Sequence, residues 1–210
     1  MLFDLDGTLA DTVELILRCY RHTMRTHLGR ELPDERWLAT IGTPLRDQLR
    51  DFARDDDEAA LMLDTYVTYQ RGIHDHLVRP FPGALATVRG LKEGGTAVGV
   101  VTSKRREMAL RTLDRCGLVD EYDVLITADD VTRGKPDPEP VRTALARLGL
   151  SDGARRTLMV GDSPWDIRAG RAAGTRTAAA LWGPYERSVL EREAPDFWLE
   201  ELGGVVRVEP

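Results

Sequence analysis

The sequence predicts an α/β fold, a parallel sheet flanked by helices and interrupted early by an all-helical insertion. Two patterns carry this. Several short apolar runs end in Gly, Asp, Ser or Thr and lead into helical patterns, the alternation that a parallel sheet with crossover helices requires. These runs are hydrophobic on both faces, as strands covered by helices on either side must be. The segment 12–79 breaks the alternation: its apolar residues recur at helical spacing and no strand pattern interrupts them.

The expected strands cover residues 2–5, 97–102, 124–128, 157–160 and 177–181. Only Met1-Leu2-Phe3 precede the first acidic residue, so the first strand is expected to be short for the centre of a sheet. Within the insertion, Val13, Ile16, Leu17, Tyr20, Met24 and His27 or Leu28 fall on one helix face, and Leu61, Leu63, Tyr66, Val67 and Gln70 form a weaker stripe. Asp11-Thr12-Val13-Glu14 has the form of a capping box, with Asp11 expected to accept from backbone N–H groups. The insertion closes at Pro80-Phe81-Pro82-Gly83, where proline and glycine stop a helix and the α/β pattern restarts. The expected units are therefore residues 1–11 with 80–210 as the α/β core, and 12–79 as the helical insertion.

At 210 residues, 42% hydrophobic and 30% charged, the chain can bury a full core without low-complexity tracts or internal repeats. A net charge of −6 argues against a nucleic-acid partner, which needs a concentrated basic patch. The one basic cluster, Lys104-Arg105-Arg106, reads as the solvated first turn of a helix. Cys19 and Cys116 lack CxxC spacing, so reduced thiols are expected and neither a disulfide framework nor a zinc site is supported. An acidic residue at position 4 and apolar runs as short as 97–101 point to a cytoplasmic chain with no membrane partner. The oligomeric state is left open between monomer and homodimer.

The first strand ends in Leu2-Phe3-Asp4-Leu5-Asp6-Gly7-Thr8. Side chains alternate along a strand, so carboxylates at i and i+2 can share one crevice at the carboxyl edge, where open α/β sheets bind ligands. Gly7 permits a tight turn whose N–H groups can approach an anion. A second strand ends in Thr102-Ser103, a rigid loop Gly134-Lys135-Pro136-Asp137-Pro138 supplies a lysine, and Val160-Gly161-Asp162-Ser163-Pro164-Trp165-Asp166 adds two carboxylates. Singly, each has a plain structural explanation, a turn, a surface loop or a helix cap. Together, on strand ends, they describe a site.

These four segments, in this order, resemble the motifs of the haloacid dehalogenase-like hydrolase superfamily over essentially the whole chain. The resemblance implies a Rossmann-like core, and the insertion resembles the helical cap domain of the phosphoglycolate phosphatase and β-phosphoglucomutase branch. The stretches around His74-Asp75-His76-Leu77-Val78, 134–141 and 158–162 are further similar to the bacterial pyrophosphatases that act alongside HPr kinase/phosphorylase. It implies Mg2+ held by Asp4, the backbone carbonyl of Asp6 and Asp162, with Asp166 anchoring a metal-bound water or pairing with Lys135. A carboxylate attacking a phosphate meets repulsion of about 4 kcal/mol per charge pair at 4 Å and an effective dielectric of 20, which is why a cation is needed.

With that charge neutralised, Asp4 is the expected nucleophile and Asp6 the general acid and then base, its pKa expected to rise beside negative charge. Thr102, the Ser103 amide and Lys135 are expected to hold the transferring oxygens, and Gly7 to face the anion. Among relatives, dehalogenases lack an acid at the position of Asp6, ATPases carry lysine there and phosphonate-cleaving enzymes alanine, so Asp6 implies phosphoryl transfer. The loop Ile41-Gly42-Thr43-Pro44-Leu45-Arg46 looks like the substrate-facing loop of the cap, with Arg46 gripping an anionic leaving group. His74 and His76 are expected to be solvent exposed, and Trp165 to pack at the rim of the metal loop. A phosphatase acting on a small phosphorylated metabolite, with pyrophosphate and phosphoglycolate as first candidates, leads. A phosphomutase using the same residues and a catalytically silent binding module remain as alternatives.

Overall fold

The computed structural model describes residues 1–208. Six parallel strands form one sheet in the order β5-β4-β1-β6-β7-β8: β1 is Leu2–Phe3, β4 Gly99–Val101, β5 Val124–Ile126, β6 Leu158–Gly161, β7 Arg176–Ala180 and β8 Phe197–Leu199. β1 lies centrally, with Phe3 in register with both Val100 and Val160. The chain leaves β1 for one side of the sheet and later returns to the other, so the crevice at its carboxyl end is a topological switch point.

Period-two alternation puts opposite sets of side chains into two cores. Phe3, Val100, Leu125 and Val160 belong to one cluster, while Leu2, Val101, Val124, Ile126 and Met159 belong to the other. Helices α5 (Ala84–Glu93), α6 (Arg106–Arg115), α7 (Glu139–Arg147), α8 (Pro164–Ala173) and α9 (Arg187–Glu191) complete the α/β part, which is the fold class the sequence predicts. Two features went unread. β8 is only three residues long, and a two-residue antiparallel ribbon joins β2 (Ala10–Asp11) to β3 (Arg79–Pro80), holding together the two ends of the insertion.

The insertion contains α1 (Val13–Leu28), α2 (Glu35–Leu38), α3 (Leu45–Arg50) and α4 (Asp56–Leu77), with α1 and α4 packed against each other. An aromatic group of Tyr20, Trp37, Phe52 and Tyr66 fills its centre, with Tyr20 and Trp37 stacked at 4.7 Å. The apolar faces are offset from the expected stripes. On α1 the buried set is centred on Leu15, Leu17, Cys19, Tyr20 and Met24, and on α4 it runs Ala59, Met62, Tyr66, Gln70 and His74. Leu61 points out and is 63% exposed.

Asp11 is not a helix cap. It lies in β2 with its side chain exposed, paired with Arg79 in the ribbon, and Thr12 stands at the start of α1 without a side-chain capping bond. Strand pairing claims the backbone that a capping box would need. α4 is the capped helix of the insertion: Asp55 accepts from the Glu58 amide at 2.8 Å. His74 is fully buried, contrary to expectation, with Nδ1 and Nε2 2.8 Å from Asp75 Oδ1 and 2.9 Å from Thr112 Oγ1 on α6. His76 is exposed. Among the described residues, no helix is long and apolar enough to cross a membrane.

Candidate active site

The carboxyl edge of the sheet gathers four segments. Asp4 follows β1, its amide donating to the Val160 carbonyl at 2.9 Å, so its side chain enters the crevice between β4 and β6. The turn that follows doubles back at once: Gly7, at φ +84°, donates to Ala10, and Thr8 Oγ1 donates to Asp162 Oδ1 at 2.5 Å. A Cβ at Gly7 would lie 2.5 Å from Asp162 Oδ2, and one at Gly183 would lie 2.2 Å from Asp162 Cβ. Only glycine at both positions lets the backbone close around this carboxylate.

Lys135 is 2% exposed and stands between two acids, its Nζ 2.5 Å from Asp166 Oδ1 and 2.8 Å from Asp4 Oδ1. Asp166 is itself fixed by the start of α8, where Ser163 donates to it from both amide (3.1 Å) and hydroxyl (2.5 Å). It therefore serves as helix cap and lysine partner together. Thr102, at the end of β4, is buried, its amide donating to Ile126 and its hydroxyl accepting from the Lys104 amide at 3.2 Å.

One oxygen from each of Asp4, Asp162 and Asp166 falls within 4.8 Å of the others, and all three residues are buried. A single lysine faces three carboxylates. Asp162 Oδ2 has no hydrogen-bond partner, and Asp4 Oδ1 has only the ammonium of Lys135 as a neighbour, at 2.8 Å. Burial first, and then the charge of Asp166, push Asp4 up to about 7 against the pull of Lys135. Burial, Asp166 and Asp4 raise Asp162 likewise. Burial alone would lower Lys135, but Asp166 and Asp4 overcome it and hold the ammonium charged. Buried, under-satisfied carboxylate oxygens in excess of cations are the donor set of a hard divalent cation, so these residues fit magnesium.

The Asp6 carboxylate does not join that cluster. It faces Lys104, whose Nζ lies 2.5 Å from Asp6 Oδ1. The Lys104 side chain is only 8% exposed, so the solvated-helix reading of this residue is wrong, and the neighbour touching Asp6 is a cation. α6 starts at Arg106, which leaves Lys104 in the preceding turn, free to reach across to the turn after β1. Nothing in the local pattern of three basic residues distinguishes the first from the other two.

Between insertion and core lies a cleft of about 1080 Å³, reaching Asp4, Asp6, Thr102, Ser103, Lys104 and Lys135 on one wall and residues 40–48 on the other. Ser103 enters through its hydroxyl, which donates to the Gly42 carbonyl at 2.6 Å. Arg46 stands exposed in the first turn of α3, lining this cleft with no ion-pair partner among the described residues. Arg71, Arg105 and Arg133, on the same cleft, are all paired. Trp165 packs at the rim as expected, its Nε1 donating to Tyr185 at 3.3 Å. Tyr185 also escaped the sequence reading, because it lies in none of the four segments.

The model of the haloacid dehalogenase-like hydrolase family matches residues 1–180. The chain is 38% identical over 208 residues to pyrophosphatase PpaX of Anoxybacillus flavithermus, covering 99% of this chain and 95% of that one, and equally identical to PpaX of Bacillus pumilus, of which it covers 94%. Among solved structures, a Bacteroides fragilis chain assigned to the haloacid dehalogenase-like hydrolases superposes with TM-score 0.90 at 28% identity, with 97% of each chain covered. A hydrolase from Pseudomonas syringae shares the fold at TM-score 0.88 and 24% identity, over 98% of this chain and 95% of that one.

Proposed function

The chain belongs to the haloacid dehalogenase-like hydrolases and hydrolyses phosphoric esters or anhydrides; from that premise we propose a magnesium-dependent phosphatase of small phosphorylated metabolites, pyrophosphate first, working through an aspartyl-phosphate. The observation that carries this reading is the convergence of Asp4, Asp162 and Asp166 on one buried point beside a single lysine, with Asp162 Oδ2 left without a partner. Structural ion pairs do not leave carboxylate oxygens buried and unpaired, because that costs about 1–3 kcal/mol or more per group. Pyrophosphate leads because the 38%-identical relatives are pyrophosphatases. Phosphoglycolate, an anion of similar size and charge, is the next candidate.

Asp4 and Asp162 would hold Mg2+, with the Asp6 carbonyl, and Asp166 supporting from behind while tethering Lys135. When bound, the ion supplies positive charge that lets a carboxylate approach an anionic phosphate. The chain's own residues do the rest. An Asp4 oxygen forms a bond to phosphorus as the bond to the leaving oxygen breaks, and Asp6 delivers a proton to that oxygen. Water then attacks phosphorus, gives its proton to Asp6, and frees the Asp4 carboxylate. Lys135, the Thr102 hydroxyl and the Ser103 amide hold the non-bridging oxygens; the Gly7 amide, expected to face the anion, is instead given to the Ala10 carbonyl and shapes the turn beside them. Lys104 holds the Asp6 carboxylate in place, a role added by its contact with Oδ1. Residues 12–79 act as a cap that closes the cleft and excludes water, with Arg46 taking the anionic end of the leaving group.

The test is phosphate release from a panel of small phosphates, pyrophosphate and phosphoglycolate included, with Mg2+ and with EDTA, in wild type and Asp4→Asn. Release that depends on both the ion and Asp4 supports the reading. Activity surviving either loss rejects it.

A further inference from the structure

The loop between α2 and α3 touches three of the four segments that build the site. Ser103 Oγ donates to the Gly42 carbonyl at 2.6 Å, and Tyr185 Oη donates to the Ile41 carbonyl at 3.0 Å. At Gly42, φ +99°, a Cβ would lie 2.9 Å from Ser163 Oγ and 3.0 Å from Trp165 Cδ1. Pro44 lies so close over Gly134, next to Lys135, that a Cβ there would be 2.6 Å from Pro44 Cγ. The insertion braces the same loop from behind: Thr43 Oγ1 donates to Thr40 O and Gln48 Nε2 to Thr43 O, both at 2.8 Å. Two consecutive carbonyls, Ile41 and Gly42, are thereby turned outward to hydroxyl donors of the core.

We propose that Tyr185 is a positioning residue of the hydrolase, a latch whose phenol, steered by Trp165, seats the loop 40–44 over the phosphoryl site. The inference rests on the proposed function, since it assigns the loop the task of closing that site. Three features select Tyr185. Its hydroxyl is used in both directions, accepting from Trp165 Nε1 and donating to Ile41, so its orientation is set from the core before the loop arrives. It projects from the connection after β7, on the far side of the site from Ser103, so the two hydroxyls hold consecutive carbonyls of the loop from two directions. Both bonds run from side chain to main chain, so closure depends on backbone position and not on the side chains of the loop. Substrate reaches Asp4 through the cleft that this loop walls, so the seat of the loop sets how closely that cleft fits what enters it.

Tyr185→Phe removes the hydroxyl and keeps the ring. Gly134→Ala reaches the same end from the opposite side, its methyl lifting Pro44 at a residue whose φ is not in the left-handed region. Amide hydrogen exchange, read in the full chain with Mg2+ and inorganic phosphate, is expected to rise about fivefold over residues 39–45 in each variant, with α8 unchanged, as loss of one hydrogen bond allows. KM for pyrophosphate is expected to rise by a similar factor while kcat stays within about twofold. Unchanged exchange over 39–45 in Tyr185→Phe overturns the latch, as does an equal rise in α8, which marks general loosening. If the wild type hydrolyses no phosphate, the proposed function fails, and the exchange data still decide whether Tyr185 seats the loop.

Discussion

The ammonium of Lys104 lies 2.5 Å from Oδ1 of Asp6, across 98 positions of sequence. The residue proposed to carry the proton is thus held by a cation from the turn after β4. A charge-assisted hydrogen bond of this kind contributes about 1.5–3 kcal/mol.

Lys104→Met is therefore expected to lower kcat by about 10- to 100-fold with little change in Mg2+ affinity, and Lys104→Arg to restore part of the loss. Steady-state kinetics with titrated Mg2+ check this. A kcat within twofold of wild type in Lys104→Met removes Lys104 from the mechanism.

The acidic cluster makes a prediction for stability without metal. Burial and Asp166 raise Asp4 to about 7, and Asp162 is raised in the same way. A carboxyl raised in the folded state keeps a proton that the unfolded chain has released, so its contribution is present at low pH and lost as pH rises through its folded value. In EDTA, the urea midpoint of Asp162→Asn should gain on wild type as pH goes from about 5 to 8. Mg2+ should stabilise the wild type and leave Asp162→Asn nearly unmoved. A pH-independent difference between the two proteins contradicts the cluster.

His74 titrates with the opposite sign. Burial, with Lys104 and Arg111, lowers its pKa below 6.5, and Asp75 only partly opposes them. A lowered base contributes stability that is full above the unfolded value and lost as pH falls below it. With Mg2+ present, wild type should lose stability relative to His74→Gln between pH 6.5 and 5. Parallel curves for the two proteins would mean that His74 is protonated in the fold.

Arg46 is the guanidinium in the cleft that no carboxylate neutralises among the described residues. Arg46→Ala should raise KM for pyrophosphate about tenfold while leaving an aryl phosphate, whose leaving group carries no second anion, within about twofold. Equal effects on both substrates reject the assignment.

How far the sequence reaches depends on the range of the interaction being read. The parallel sheet was legible because apolar runs such as Ala97-Val98-Gly99-Val100-Val101 need only their own composition and their flanking breakers to declare a buried strand. β8 was not, since three residues give too few positions for a pattern. The Asp11 cap failed because pairing with Arg79, 68 positions later, outweighed a local capping preference. Of the candidate site, Asp4, Lys135, Asp162 and Asp166 could be named because each sits in a short motif at a strand end or a rigid loop.

By itself the sequence determined the α/β class, the place of the helical insertion and the short motifs that carry the candidate residues Asp4, Lys135, Asp162 and Asp166. All of these are written in spacing along the chain, over a few residues at a time. Tertiary structure alone decided that Lys104 meets Asp6, that His74 is buried against Thr112, and that Tyr185 reaches the Ile41 carbonyl. Such partners are set by distance in space after the elements pack. A lysine in a basic triplet or a tyrosine in a loop carries no local mark of which remote group it will face.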